Sequence, residues 1–446
     1  MGGQSIMIDT SARLPVGRPG TGSGAWDKST RTLIWIVLLG GIALSPLSDF
    51  LSVYALKGQV SGDVGARYSL FLRSVTVAAL IASMLLGGRV RLSSWRLCCL
   101  AMVTAFMSCV SLTFDDMTGQ EFAEELIAIA KVFSLFVYIA AMVQLKDRQL
   151  EKVEAVMRMA LLVYALAIIA GAVFSIDMFR SYRGDTQIRA GYKGIIYAQN
   201  EASALLLTGL ALAYLRVLRE GWKAKSVIFV ATLIAAAFLL GTKGAIVAAL
   251  GVIAVYSYAK YGALKASVRL APAVVLVFVA AVTVYFVSPS VRQAVDLSVQ
   301  YFSYQSDRAD GNKIATVLMS SRNVKFANVW NELSSRNFLP LLIGGYPTVR
   351  YPIEMDGPDL ILIMGIPVFL LYLRRLFRLY VRRGDGSVAK YGRYFFFLLL
   401  LIACSAGHVL TSAIVAPYLA VIAEIVRRRS GDERRPIAGR RSKELK

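Results

Sequence analysis

The stretch Phe122–Leu145, FAEELIAIAKVFSLFVYIAAMVQL, decides the class of this protein. Beyond Glu125 it holds a single charge, Lys131, and a lipid hydrocarbon core about 30 Å thick requires about 20 such apolar residues per helix. Similar runs recur at Leu33–Leu47, Tyr68–Leu86, Arg96–Phe114, Ala155–Ile176, Ile195–Val217, Val227–Leu240, Ala245–Tyr258, Leu270–Val287, Asp359–Leu373, Tyr394–Gly407 and Ser412–Val426. They are continuous, neither alternating like half-buried strands nor spaced like heptads. Of the 446 residues 57% are hydrophobic and 17% charged, where a soluble protein has about a quarter charged. The expectation is an all-α polytopic membrane protein of about twelve transmembrane helices. Residues 1–30 read as a disordered tail, and the first run, with no small-residue cleavage site after it, as a retained signal anchor. Nine helices are expected within 31–287, a large outward loop at 288–358, three helices within 359–426 and a basic tail at 427–446.

Lys and Arg number 50 against 28 Asp and Glu, a net charge of +22. In a soluble chain that excess would point to nucleic acid; here no nucleic-acid partner is expected, because the charge follows the topology. Basic residues gather in every second segment: Arg13, Arg18, Lys28 and Arg31; Arg89, Arg91 and Arg96; Lys146, Arg148, Lys152 and Arg158; Arg216, Arg219, Lys223 and Lys225; Lys260, Lys265 and Arg269; Arg374, Arg375, Arg378, Arg382, Arg383, Lys390 and Arg393; and the C-terminal tail. The positive-inside rule then predicts that both termini are cytoplasmic, with the basic segments touching anionic membrane lipid. One His and four Cys, with no C-x-x-C and no H-E-x-x-H, leave no protein-only metal site, and neither metal nor cofactor is expected. Cys98, Cys99, Cys109 and Cys404 lie in apolar runs and read as small buried hydrophobes. A Walker-type phosphate loop is missing, which argues against ATP-driven export by this chain.

Three outward segments are basic against the rule. One holds Arg180, Arg183, Arg189 and Lys193; the short break Gly241–Gly244 holds Lys243; the large loop includes Arg322, Lys325, Arg336 and Arg350. Each is open to the plain reading of a solvated charge, but the cluster as a whole suits a diphosphate, because arginine offers a planar fork of donors. Inside the spans, Arg73 and Lys131 need a partner or a cavity, and Glu124, seven residues before Lys131, shares its helix face. His408, at the outward turn of the last hairpin, reads either as a hydrogen-bonded packing residue or as a catalyst.

The large loop contains Ser320-Ser-Arg322, Trp330, then Leu339-Pro-Leu-Leu-Ile-Gly344-Gly345-Tyr, and Glu354-Met-Asp356-Gly-Pro-Asp359 followed by Gly365-Ile-Pro. This order resembles the O-antigen ligase/polymerase superfamily, more narrowly the exopolysaccharide repeat-unit polymerases of bacteria. Members have a serine–arginine near an amphipathic helix, a glycine turn, and a polar pair starting a helix with a glycine eleven residues after the first polar position, the spacing of Glu354 and Gly365 here. Upstream, Gly191-Tyr-Lys-Gly194 running to Asn200, and Gly241-Thr-Lys243-Gly244, resemble the family's glycine-rich entry to a span and its short Thr/Ser-Arg-Gly hairpin. The chain departs from ligase-like members in having Glu354-Met355 where a histidine and asparagine are frequent, and Lys243 where arginine is usual.

The resemblance implies a GT-C-like membrane glycosyltransferase at the outer face of a bacterial inner membrane. Its substrates would be polyprenyl-diphosphate-linked oligosaccharides, with chain-length regulators and export proteins as further partners. Glu354 is then the expected general base, with Asp356 second and His408 as a further catalytic candidate; the other reading of Glu354 is a helix N-cap. Arg180, Arg183, Arg189, Lys193, Asn200, Lys243, Arg322, Arg336 and Arg350 are the expected diphosphate- and glycan-binding residues. A ligase moving finished glycan to a lipid A core, and a transporter or flippase of precursors, are the alternatives.

Overall fold

The computed structural model describes residues 24–55, 67–88, 92–114, 117–181, 191–287, 289–308, 314, 316, 319–335, 337–405 and 407–432. Within them the chain forms α1 (Gly24–Ala55), α2 (Tyr68–Leu86), α3 (Leu92–Phe114), α4 (Gly119–Val143), α5 (Asp147–Val173), α6 (Gln199–Glu220), α7 (Ala224–Leu239), α8 (Lys243–Tyr261), α9 (Ala263–Val287) and α10 (Pro289–Arg308). Then follow α11 (Arg322–Ser335), α12 (Leu339–Ile343), α13 (Asp356–Tyr380), α14 (Ser387–Ser405) and α15 (Ala416–Asp432). Each apolar run of the sequence falls on one of these helices. Eight helices are long and apolar enough to cross a membrane among the described residues: α1 from Lys28, α2, α4, α5, α6, α8, α13 and α14, with shorter apolar helices at Trp95–Val110 and Ala224–Leu239. This is a polytopic helical membrane protein; the expected count of about twelve spans also takes in Arg96–Phe114, Val227–Leu240, Leu270–Val287 and Ser412–Val426, which are not among those eight.

The helix ends follow local chemistry. Thr118 caps α4 in a reciprocal box with Glu121, and the Thr242 hydroxyl accepts the Ala245 N–H to open α8. Two helices form the centre. Every residue of α6 from Ala204 to Leu215 is buried, as is every residue from Ser412 to Val426 at the start of α15. A helix apolar on all sides must be surrounded, and α15 lies against α4, α6, α13 and α14, while α6 lies against α7, α8 and α14. By contrast α9, packed on α8 and α10, exposes Val274, Leu276, Phe278 and Phe286.

The cysteines correct an expectation. All four are exposed on the protein surface. An apolar helix face in a membrane can be covered by lipid rather than by protein, so apolar neighbours in sequence do not predict burial in the fold.

The most constrained crossing lies in α13. Pro367 has no N–H to give the Ile363 carbonyl one turn earlier, and Gly365 leaves the helix with φ of 72°. The freed Ile363 carbonyl accepts the Gly345 N–H at 3.0 Å, and Leu362 O accepts Tyr346 N–H at 3.1 Å. A Cβ on Gly344 would lie 2.5 Å from Ile363 O, and one on Gly365 2.6 Å from Leu342 O. The Gly344-Gly345 turn therefore docks backbone to backbone into the α13 kink.

The bundle has two chemically distinct ends. At one, Arg428 reaches Asp147 at 2.6 Å and the Leu145 carbonyl at 2.8 Å, and Arg393 reaches Gly384 O at 2.9 Å. At the other stand the N-termini of α4, α6 and α13, the 407–412 loop and the α11–α12 segment, joined by the contacts described next.

Candidate functional site

The site is built where α13 begins. Asp356, buried, accepts the backbone N–H groups of His408, Val409 and Leu410 at 2.6, 2.6 and 2.7 Å and the Thr411 hydroxyl at 2.7 Å. A carboxylate with that many donors is committed to holding a loop, here the one bearing His408. It is the backbone of His408, at φ of 60°, that meets Asp356, and its half-buried side chain lies beside this junction.

Glu354, two residues earlier, has the left-handed φ of 65° and a side chain 37% exposed. Lys325 donates to its Oε1 at 2.5 Å, and the Arg322 guanidinium, 11% exposed, lies 4.0 Å from Oε2. Arg322 also reaches Ser405 O at 3.5 Å, tying α11 to the end of α14. The backbone of Glu354 presses on Gly407, where an added Cβ would lie 2.3 Å from Glu354 O. The residue at the N-cap of α13 is Met355, which has no side-chain cap, so Glu354 does not serve that end. Asp359 does that work, accepting the N–H of Ile353 at 3.0 Å and of Met355 at 3.1 Å.

Beneath this corner a small separate core of Val329, Leu333, Tyr346, Ile353, Met355 and Leu362 seats α11 on α13. Tyr346 OH donates to Glu332 at 2.7 Å across it. Arg350 is turned the other way: it makes a two-pronged bond to Glu121 of α4 at 2.8 and 2.7 Å, and Glu121 in turn closes the Thr118 cap. That carboxylate pushes the Arg350 guanidinium further up from its ordinary value. One turn on, Glu125 accepts the Thr348 hydroxyl at 3.0 Å. Arg350 thus clips the outer segment to α4, away from Glu354.

A second group of the expected residues gathers at the start of α6. Arg180 faces Asp177 at 3.5 Å and forms an isolated antiparallel bridge with Tyr192, while Phe179 O accepts the N–H of Lys193 at 2.8 Å. The Lys193 ammonium reaches Tyr197 O at 2.5 Å, and Tyr192 N–H donates to Leu239 O at 3.0 Å. Gln199, next to Asn200, donates to Leu240 O at 3.3 Å, and Ser203 shares a 2.8 Å bond with Thr242 beside the exposed Lys243. The two groups meet through Ser412, which donates to Glu201 at 3.2 Å from the loop that bears His408. Arg183, Arg189 and Arg336 lie outside the described residues.

Sequence reasoning passes over Asp359, Glu121 and Glu201 as site residues and places Lys325 only within the basic cluster of the large loop. Lys325 had a usable signal: it follows Arg322 by three residues on an amphipathic helix, so both point to one side. The intramembrane cations are also placed. Arg73 bonds both oxygens of Asp49 at 2.6 Å, Tyr164 donates to the same carboxylate, and Lys131 stands within electrostatic range of Glu201 and Glu124. Glu124 itself lies 3.8 Å from Arg67.

Compared with protein-family models and with curated proteins, the chain matches none of either.

Proposed function

We propose that this chain is a membrane glycosyltransferase that joins oligosaccharide repeat units carried on a polyprenyl diphosphate, working at the membrane face opposite its basic segments. The observation that carries the reading is the corner where Glu354, Arg322, Lys325 and the His408 loop converge at the outer end of α13. The alternation of basic segments assigns the Arg428 end to the cytoplasm, which leaves this corner facing outward in a bacterial inner membrane. The family resemblance of the Glu354 and Gly365 spacing supports the same class, with about twelve membrane-crossing or membrane-embedded helices in a GT-C-like arrangement.

The reaction balances without redox chemistry. The acceptor sugar hydroxyl gives its proton to the Glu354 carboxylate and its oxygen bonds the donor's anomeric carbon. The bond from that carbon to the diphosphate oxygen breaks, and the leaving electron pair stays on diphosphate. A carboxylate within reach of the hydroxyl supplies the base, and Lys325 and Arg322 supply fixed positive charge where the negative charge develops. Substrate diphosphate would draw Lys325 away from Glu354, freeing the base as the donor arrives. Arg180, Lys193, Asn200 and Lys243 line the neighbouring approach along α6 and hold carrier phosphate or glycan. Asp356 acts through the loop it anchors.

Replacing Glu354→Gln removes the base while keeping shape. Long polymer should vanish, single lipid-linked repeat units should accumulate, and the protein should remain in the membrane at wild-type amounts. Wild-type polymer length in that strain would overturn the assignment of Glu354. If instead full-length polymer were retained on its lipid carrier, the ligase reading would replace the polymerase one.

A further inference from the structure

At the opposite end of the bundle a cavity of about 810 Å³ opens between α5, α6, α14 and α15, lined by Arg158, Arg216, Arg219 and Arg429 together with Glu154 and Glu220. It is remote from Glu354. Glu201, at the start of α6, touches the His408 loop, and α6 then runs 18 residues to Arg219, a separation of about 27 Å at 1.5 Å per residue.

Two of the three carboxylates at this cavity are already engaged. Arg219 donates to the buried Glu154 at 2.6 Å, and Glu220 accepts from Arg216 at 3.0 Å and from Lys223 at 3.3 Å. Glu151 is exposed at the rim. Arg158 differs from its neighbours. Unlike Arg216 and Arg219 it makes no ion pair among the described residues; its Nε, like that of Arg219, is buried without a hydrogen-bond partner, and its guanidinium stands in the fields of Arg216 and Arg219 as well as those of Glu154 and Glu220. Arg158 also lies 11 residues inside α5 from Asp147, about 17 Å along the helix, where a cation whose nearby carboxylates are bonded to other arginines gains from a further anion.

These facts describe a receptor for an anion. Converging guanidiniums offer forked donors that match phosphate oxygens. Basic pockets between transmembrane helices at the cytoplasmic side suit phosphate head groups. The volume is that of an organic ligand, since such sites span about 300–1,000 Å³, and far exceeds a bare phosphate. We propose that this cavity binds an organic phosphate ester, with Arg158 as its principal donor and Arg429 at its rim, the ester coming either from an acidic membrane phospholipid or from a soluble cytoplasmic metabolite. The site is independent of the glycosyl-transfer corner.

The test uses full-length protein in a neutral detergent, titrated with short-chain phosphatidylglycerol, short-chain phosphatidylcholine or glycerol 3-phosphate and read by native mass spectrometry. Saturable binding of phosphatidylglycerol alone identifies the lipid source, and binding of glycerol 3-phosphate the soluble one. In either case Arg158→Gln should weaken binding about tenfold or more, the loss of one charge-assisted forked contact, while Arg374→Gln, away from the cavity, should leave it unchanged. If Arg158→Gln does not fold, Arg429→Gln should weaken the same binding several-fold. No saturable binding of either anionic probe would overturn the proposal. So would equal affinity in wild type and in whichever of Arg158→Gln and Arg429→Gln folds, or an equal loss in Arg374→Gln.

Discussion

Two places in this protein gather charge around a carboxylate, and they differ in every respect that separates scaffolding from chemistry. Asp49 is buried among α1, α2 and α5, held by Arg73 on both oxygens and by Tyr164. All three lie on helices, Asp49 three residues after Pro46 of α1, and none has left-handed backbone. Glu354 is half-exposed on left-handed backbone at φ of 65°, with one cation at 2.5 Å and another at 4.0 Å. The first arrangement is closed off from solvent, with both carboxylate oxygens of Asp49 bonded. The second keeps an oxygen accessible at the cost of local strain, which is where function is expected to sit.

The comparison can be broken by substitution, most severely at the residue that joins scaffold to site. Asp356→Ala leaves three buried N–H groups without an acceptor, each costing about 1–3 kcal/mol. A loss of about 4 kcal/mol or more is expected, seen as a collapse of thermal stability in detergent along with loss of polymer. Next, Arg73→Leu strands the Asp49 charge in a dry site and should cost about 3–5 kcal/mol; the pair Arg73→Leu with Asp49→Leu should recover most of it. Full stability in the single variant would show that Asp49 is not held by Arg73. Gly407→Ala forces a Cβ to 2.3 Å from Glu354 O at φ of 65° and should cost about 2 kcal/mol, with activity falling further than stability because Glu354 is displaced. The smallest change in stability belongs to Glu354 itself. Glu354→Gly relieves the left-handed backbone and should shift stability upward by about 0.5–1 kcal/mol while abolishing polymer. A stability loss there would return Glu354 to the scaffold side of the comparison.

Much of the architecture was legible in the sequence because lipid imposes a length and an apolarity that a run such as Phe122–Leu145 displays openly. The corner at the start of α13 is legible in part: the sequence singles out Glu354, Arg322 and His408 one by one, and the fold brings their segments together. What remained hidden was decided by contacts between distant segments. Arg350 and Glu121 are 229 residues apart in sequence, and Arg428 and Asp147 281 apart, so nothing in their local spacing announces either pairing. Asp356 could be chosen as a second acid from its position two residues after Glu354, but that the 408–410 amides would converge on it depends on a turn with φ of 65° and 60° at Gly407 and His408, a conformation that residue types alone do not specify. The cysteines illustrate the reverse limit, since sequence cannot tell a face turned to lipid from one turned to protein.

The docking of the Gly344-Gly345 turn into the α13 kink has a consequence for how the corner can move. The amides of Gly345 and Tyr346 donate to Ile363 O and Leu362 O across the crossing, so lifting the Gly344-Gly345 turn off α13 would open them to exchange with solvent. Those two amides are a native reporter of opening. Their exchange rates, followed in deuterated buffer, would report how often the Gly344-Gly345 turn leaves the α13 kink, with no label introduced into the protein.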